Sequence, residues 1–311
     1  MKDQWSSLHV FFHDFNIIEK VLHQLVWPSL QNSIRNNEIK KYFFIRYWEG
    51  GPHLRIRYVV QEGTDSQEFT NVLIDKWTDY LRENPSQIEL EKEVFYQSHS
   101  LEGKSKKEIP NLPWFPNNSV QIIPYVPEWE RYGGEKGIQI AEEYFCCSSE
   151  FVREILQNQH FNANRMAVAL DIMYLIFKVF SANDSETKEW KCFWGNYAKG
   201  WLEWENSEYE RRVRAKSQMQ AKKLGPKLLE SLELMWDQFK LNGTYRGIEN
   251  KNIFGMISAV DQLKKSAKFL DLTHTTPIKI MGSYMHMHNN RLGVYPAQEA
   301  YLSLLINELN Q

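Results

Sequence analysis

Near the start of the chain apolar residues come in short runs or strict alternation, the signature of strands, and further on they recur every three or four residues, the signature of helices. "SLHVFFHD" reads as a strand, "NIIEKVLHQLVWPSLQNS" as a helix ending near Pro28, and "YFFIRYWE" with "HLRIRYVV" as a β-hairpin turning on "GGP". A helix is expected in "SQEFTNVLIDKWTDYLREN", with Phe69, Val72, Leu73, Trp77 and Leu81 along its apolar side. The polar stretch 98–119, rich in proline and asparagine, reads as a mobile loop. From about Gly137 the pattern is mostly helical, through "IQIAEEYFCCSSEFVREIL", the apolar run 166–180, "EWKCFWGNYAKGWLEWEN", "PKLLESLELMWDQFK" and "PAQEAYLSLLINELN", where Pro296 falls in a first turn. Neither an internal repeat nor a clear linker interrupts the pattern. The expected fold is α+β, a sheet-rich N-terminal half with a mostly helical C-terminal half, in a single domain over 1–311.

Composition narrows the classes of function. A chain of 311 residues can bury a substantial core, and its formal net charge of −2 supplies no global positive field for nucleic acid or acidic membrane. Any anion site has to be local. Two of the cysteines, Cys146 and Cys147, are adjacent and Cys192 stands apart, so neither a disulfide framework nor a CxxC zinc site is expected. The opening "MKDQWSSLHVFFHD" lacks the apolar stretch of a signal peptide, and the run 166–180, broken by Asp171 and Lys178, is too short to span a bilayer. The expectation is a cytoplasmic protein without a membrane span.

Three stretches carry candidate chemistry. Strand alternation puts Arg55 and Arg57 of "HLRIRY" on one face, about 7 Å apart, an arrangement that suits an anion, although a solvated strand face would look the same. In "PEWERYGG", Glu128 and Arg131 share one side of a helical turn and can pair, which makes either an oriented anion clamp or an ordinary surface ion pair. In "SYMHMHNNRLG", His286 and His288 alternate with methionines. As a pair on a strand they could bind a metal, but no carboxylate or cysteine accompanies them; a histidine near arginines fits proton transfer better. The basic stretch 211–223 reads as the solvated face of a helix, the tryptophans as core, and no nucleophile elbow or phosphate loop is present.

In their order, "WSSLHVFFHD", "FFIRYWEGGPHLRIRY", "ERYGG" followed by "AEEYF", and "HMHNNRLG" resemble the C-terminal elimination domain of class I lanthipeptide dehydratases and its stand-alone versions in thiopeptide-type bacteriocin pathways. One departure is that "CCSS" stands where an acidic residue is expected after "AEEYF". The resemblance implies a lyase that expels glutamate from glutamylated serine or threonine of a ribosomal precursor peptide, leaving dehydroalanine or dehydrobutyrine. It implies Arg57, Arg131 and His286 as catalytic residues, with Arg55 and Glu128 holding the substrate and Arg291 as an addition. It implies no cofactor or metal, and as partners the precursor peptide and a separate tRNA-dependent glutamylating protein, with no direct nucleic-acid contact; homo-oligomerisation stays open. A pyridine synthase of the same family, condensing two dehydroalanines and releasing the leader, is the second reading, for which Ser283 and Tyr284 beside His286 could serve. A third is a non-catalytic peptide-binding subunit that takes a leader peptide as an added strand on the hairpin.

Overall fold

A computed structural model describes residues 3–98, 111–158, 164–181, 188–203 and 205–309. The chain folds as two compact units, Met1–Val126 and Pro127–Gln311. The first holds the sheet and the second the long helices, the α+β arrangement expected from the sequence.

In the first unit, β1 (Trp5–Phe11), β2 (Ile39–Tyr47), β3 (His53–Val60) and β4 (Ser119–Ile122) form an antiparallel sheet in the order β2-β3-β1-β4. The hairpin of β2 and β3 is as expected, and the glycines of its turn, Gly50 and Gly51, both have positive φ. The register lines up Leu8, Phe44 and Ile56 on one face of the sheet. That face is covered by helices: Trp27 meets Phe44 edge to face, and the Tyr58 hydroxyl, two residues on from Ile56, pairs with Thr70 Oγ1 at 2.8 Å. The other face carries Ser7, His9 and Phe11 beside Arg57, Arg55 and His53.

Pro28 does not end its helix. The helical path runs from α1 (Ile18–Val21) through a π turn, Leu22–Val26, into α2 (Trp27–Arg35), with Pro28 in the first turn of α2. Proline needs no hydrogen bond from its nitrogen, and the widened π turn before it leaves that position without an obligatory donor. In α3 (Ser66–Glu83) Phe69, Leu73, Trp77 and Leu81 are buried as expected, whereas Val72 is 59% exposed, because it lies one residue off that stripe. A short α4 (Lys92–Ser98) follows. Of the stretch expected to be a loop, 99–110 lies outside the described residues, and its last residue, Ser119, begins β4.

The second unit opens with α5 (Trp129–Tyr132) and α6 (Gly134–Gln157) and continues through α7 (Arg165–Ser181), α8 (Lys188–Lys191) and α9 (Phe193–Leu202). The 36-residue α10 (Ser207–Asn242) runs straight through Pro226, and most of its basic stretch is solvated. A small hairpin, β5 (Thr244–Tyr245) and β6 (Ile248–Glu249), precedes α11 (Lys251–Lys265), α12 (Pro277–Leu292) and α13 (Pro296–Leu309). The apolar α7 is buried as expected, and it tolerates Asp171 because Arg246 pairs with that carboxylate at 2.6 Å and Tyr245 donates to it. Among the described residues no helix is long and apolar enough to cross a membrane, and no group of three metal-binding side chains forms.

Candidate functional site

Two polar clusters emerge, one in each unit. In the second unit the segment "SYMHMHNNRLG" is helical, so the strand geometry that would have put His286 and His288 side by side does not exist. Successive helix residues turn by about 100°, so the two imidazoles leave α12 on opposite sides. His288 is fully buried, paired through Nδ1 with Ser148 Oγ at 3.0 Å, and burial pushes its pKa down to about 3. His286 lies one turn beyond Ser283 on the same side of the helix.

His286 is oriented by a carboxylate that the sequence did not single out. Glu299, in the first turn of α13, is fully buried, and its Oε1 accepts from His286 Nδ1 at 2.9 Å. Its other oxygen accepts from the Tyr197 hydroxyl of α9 at 2.6 Å. Burial, and then the charge of Glu299, push the tyrosine pKa well up, so the hydroxyl keeps its proton and remains a donor. Because an ionised carboxylate can only accept, the proton of a neutral imidazole sits on Nδ1 and its lone pair on Nε2. Trp201 packs against the ring at 4.6 Å between centroids. Tyr197 reaches in over Gly282, where a Cβ would come within 3.1 Å of its ring.

One turn away, Ser283 Oγ accepts from Arg131 Nε at 3.0 Å. Glu128 holds the same guanidinium from the other side, Nη1 to Oε2 at 3.2 Å, as the i, i+3 spacing predicts. Glu128 is exposed and Arg131 partly so, and the pair contributes little to stability and mainly aims the guanidinium. The turn that carries them is seated on α6, because a Cβ at Gly137 would fall 1.7 Å from the carbonyl oxygen of Tyr132.

Tyr284 and Arg291 point into the interior. Tyr284 lies in a stack of tyrosines, 4.5 Å from Tyr144 and 6.0 Å from Tyr132 between centroids. Arg291 is fully buried, donating to Ser149 Oγ at 3.2 Å and to the Met287 carbonyl at 2.7 Å, with its guanidinium over Phe145. The "CCSS" departure thus supplies serine hydroxyls to His288 and Arg291 from α6.

In the first unit, Arg55 and Arg57 do share one face of β3, and both are mounted against aromatic rings rather than solvated. The Arg55 guanidinium lies 3.4 Å from the centroid of Tyr47, and that of Arg57 lies 4.6 Å from Tyr125 and 5.5 Å from Phe43. His53 fixes Arg55 further. Its Nδ1 is 2.8 Å from the Gly51 carbonyl, which can only accept, so Nδ1 carries the proton and Nε2 is free to accept from Arg55 Nε at 3.3 Å. Burial holds this imidazole neutral, with a pKa pushed down to about 3. No sequence pattern marks His53, the first residue of "HLRIRY", yet it orients one of the arginines that follow.

Comparison with known proteins places this geometry in a family. The chain is 25% identical over its whole length to the epidermin biosynthesis protein EpiB of Staphylococcus epidermidis, of which it spans 26%. Its fold is similar to that of TbtD, a pyridine synthase from thiomuracin biosynthesis, with a TM-score of 0.73 at 16% identity over 99% of this chain and 97% of that one. It is also similar to part of MibB, a tRNA-dependent lantibiotic dehydratase from Microbispora sp. 107891, with a TM-score of 0.50 at 16% identity over 98% of this chain and 28% of that one. The chain therefore spans about a quarter of the length of EpiB and of MibB. The model of the lantibiotic biosynthesis dehydratase C-terminal family matches residues 5–309, almost end to end, and the chain belongs to that family.

Proposed function

We propose that this chain acts as an elimination domain over 1–311, which removes glutamate from glutamylated serine or threonine of a ribosomal precursor peptide. The observation that carries this reading is the His286–Glu299–Tyr197 relay standing one helical turn from the Arg131–Ser283 pair. A β-elimination breaks the Cα–H bond, forms the Cα=Cβ bond and breaks the Cβ–O bond, with the electron pair leaving on the glutamate carboxylate. Its hard step is removal of the Cα proton. His286 offers Nε2 as the base, while Glu299 fixes the tautomer and favours the imidazolium that forms. Arg131, aimed by Glu128 and Ser283, supplies fixed positive charge for the developing enolate or the departing carboxylate. Arg55 and Arg57 hold the glutamyl carboxylate, a task for which the guanidinium fork is suited. Tyr284 and Arg291 act from inside, by packing α12 against α6.

No cofactor is needed for this chemistry, and the tRNA-dependent glutamylation that prepares the substrate is assigned to a separate protein. A second reading, pyridine formation from two dehydroalanines, draws on the hydroxyl of Ser283 beside His286. One assay decides between them: incubation of the purified protein with a glutamylated precursor peptide, followed by mass. Stepwise loss of glutamate, reduced about a hundredfold or more in His286→Ala, supports elimination. Unchanged glutamyl peptide, with macrocycle and released leader appearing from a dehydrated peptide, overturns it in favour of pyridine formation.

A further inference from the structure

The polar face of the sheet contains more than its arginines. Trp5, Ser7 and His9 alternate on β1, and the register sets Ser7 beside Arg57 and His9 beside Arg55. Ser7 and His9 are 6% and 3% exposed. The Ser7 hydroxyl and both ring nitrogens of His9 find no hydrogen-bond partner among the described residues, and neither does the indole nitrogen of Trp5. A buried donor left unsatisfied is costly, and native proteins avoid it unless something outside the chain supplies the partner. Here three such groups lie in a row along one strand, and two of them, Ser7 and His9, stand opposite arginines. The charges nearest His9 are cationic, those of Arg55 and Arg57, so a polar group that satisfies the row is most favoured when it is negative.

We propose that Ser7 and His9 of β1 contact the ligand directly and complete, with Arg55 and Arg57, a carboxylate-binding face on the sheet. The claim deepens the elimination reading and rests on it for the identity of the ligand, the carboxylate of a glutamyl group. Neutral hydrogen-bond donors complement the arginines here. His9, stacked at 5.0 Å on His53, is held uncharged by burial and by the neighbouring cations, its pKa pushed down to about 2. It therefore donates one N–H without adding a third positive charge, and it does so unchanged across the working pH range. Ser7 can turn its hydroxyl toward the same group.

The test uses the full-length protein, free glutamate as the probe, and the variants His9→Phe and Ser7→Ala. Calorimetric titration is expected to show affinity for glutamate reduced about tenfold in each variant, the scale of a hydrogen bond to a charged group. Without glutamate, thermal unfolding is expected at the same temperature as the parent or higher, because each change removes an unsatisfied buried donor. His9→Gln, which keeps an N–H donor, is expected to recover part of the affinity. If the His9→Phe and Ser7→Ala variants bind glutamate as the parent does, or both lose stability without a change in affinity, β1 has a structural role only and the proposal fails. The two claims separate cleanly. Glutamate affinity that depends on Ser7 and His9 in a protein that does not process glutamylated peptide upholds the carboxylate face and sinks the elimination reading. Processing that is indifferent to both variants does the reverse.

Discussion

At the scale of single residues, the contact that matters most joins positions thirteen apart in sequence and on different helices, His286 and Glu299. Glu299→Gln keeps the shape and can still accept from Nδ1–H, but it removes the charge that favours an imidazolium. We expect glutamate release to slow by about tenfold while the unfolding temperature stays close to that of the parent. Glu299→Leu takes the short acceptor from the buried Tyr197 hydroxyl, leaving it only the Gly282 carbonyl at 3.4 Å, and takes the acceptor from the partly buried His286 Nδ1, a loss of about 1–3 kcal/mol. It is expected to lower stability and activity together, as read by urea unfolding beside the mass assay. Equal activity in Glu299→Gln and the parent would count against the orienting role. The arginines of "HLRIRY" and the Glu128–Arg131 pair were legible in the sequence because strand alternation and i, i+3 spacing are local rules. Glu299 was not, since a glutamate in the first turn of a helix is an ordinary surface residue until another helix buries it. His9 was missed for the same reason: an isolated histidine in an apolar strand says nothing about its cross-strand neighbours.

At the scale of elements, the seat of α5 on α6 decides where Arg131 points. The chain passes from one helix to the next through Gly133 and Gly134, both at positive φ, and Gly137 then lets the Tyr132 carbonyl lie directly against α6. Gly137→Ala places a methyl where that carbonyl sits, so α5 has to move. We expect a loss of about 1–3 kcal/mol in unfolding free energy, together with a rise in KM or a fall in kcat as Arg131 leaves Ser283. Gly200→Ala, at a helical glycine with open space around it, is the control and should leave activity unchanged and stability level or higher by up to about 1 kcal/mol. An active, stable Gly137→Ala protein would show that the seat does not govern the arginine. Most elements were legible because their periods are long and regular. The exceptions are short or irregular. β4 has four residues and owes its place to pairing with β1, and the π turn before Pro28 follows from packing that no local pattern encodes.

At the scale of the whole molecule, three buried histidines make stability depend on pH with a definite sign. Burial pushes His9 down to about 2, and His53 and His288 down to about 3, from an ordinary value of 6.5. Between those limits the unfolded chain takes up protons that the folded chain refuses. Unfolding free energy therefore stays level above pH 6.5 and falls as the solution is acidified through the unfolded value, by about 1.4 kcal/mol per pH unit for each histidine. Asp171 works the other way, because burial raises its carboxyl and the folded state binds that proton more readily. Comparing the parent with one histidine variant cancels Asp171 and isolates a single group. His288 is the best choice, since it lies inside the second unit and has no part in either proposed cluster. In His288→Phe the ring still fits beside Phe151, at the cost of the bond to Ser148. The variant is expected to start lower or level at pH 7 and to lose stability less steeply on acidification, by about one proton's worth of slope below pH 6. Urea unfolding at half-unit intervals from pH 7 to 4.5 measures that slope. Parallel curves for variant and parent would mean that His288 takes up its proton in the folded state, contrary to its complete burial beside the Arg291 cation.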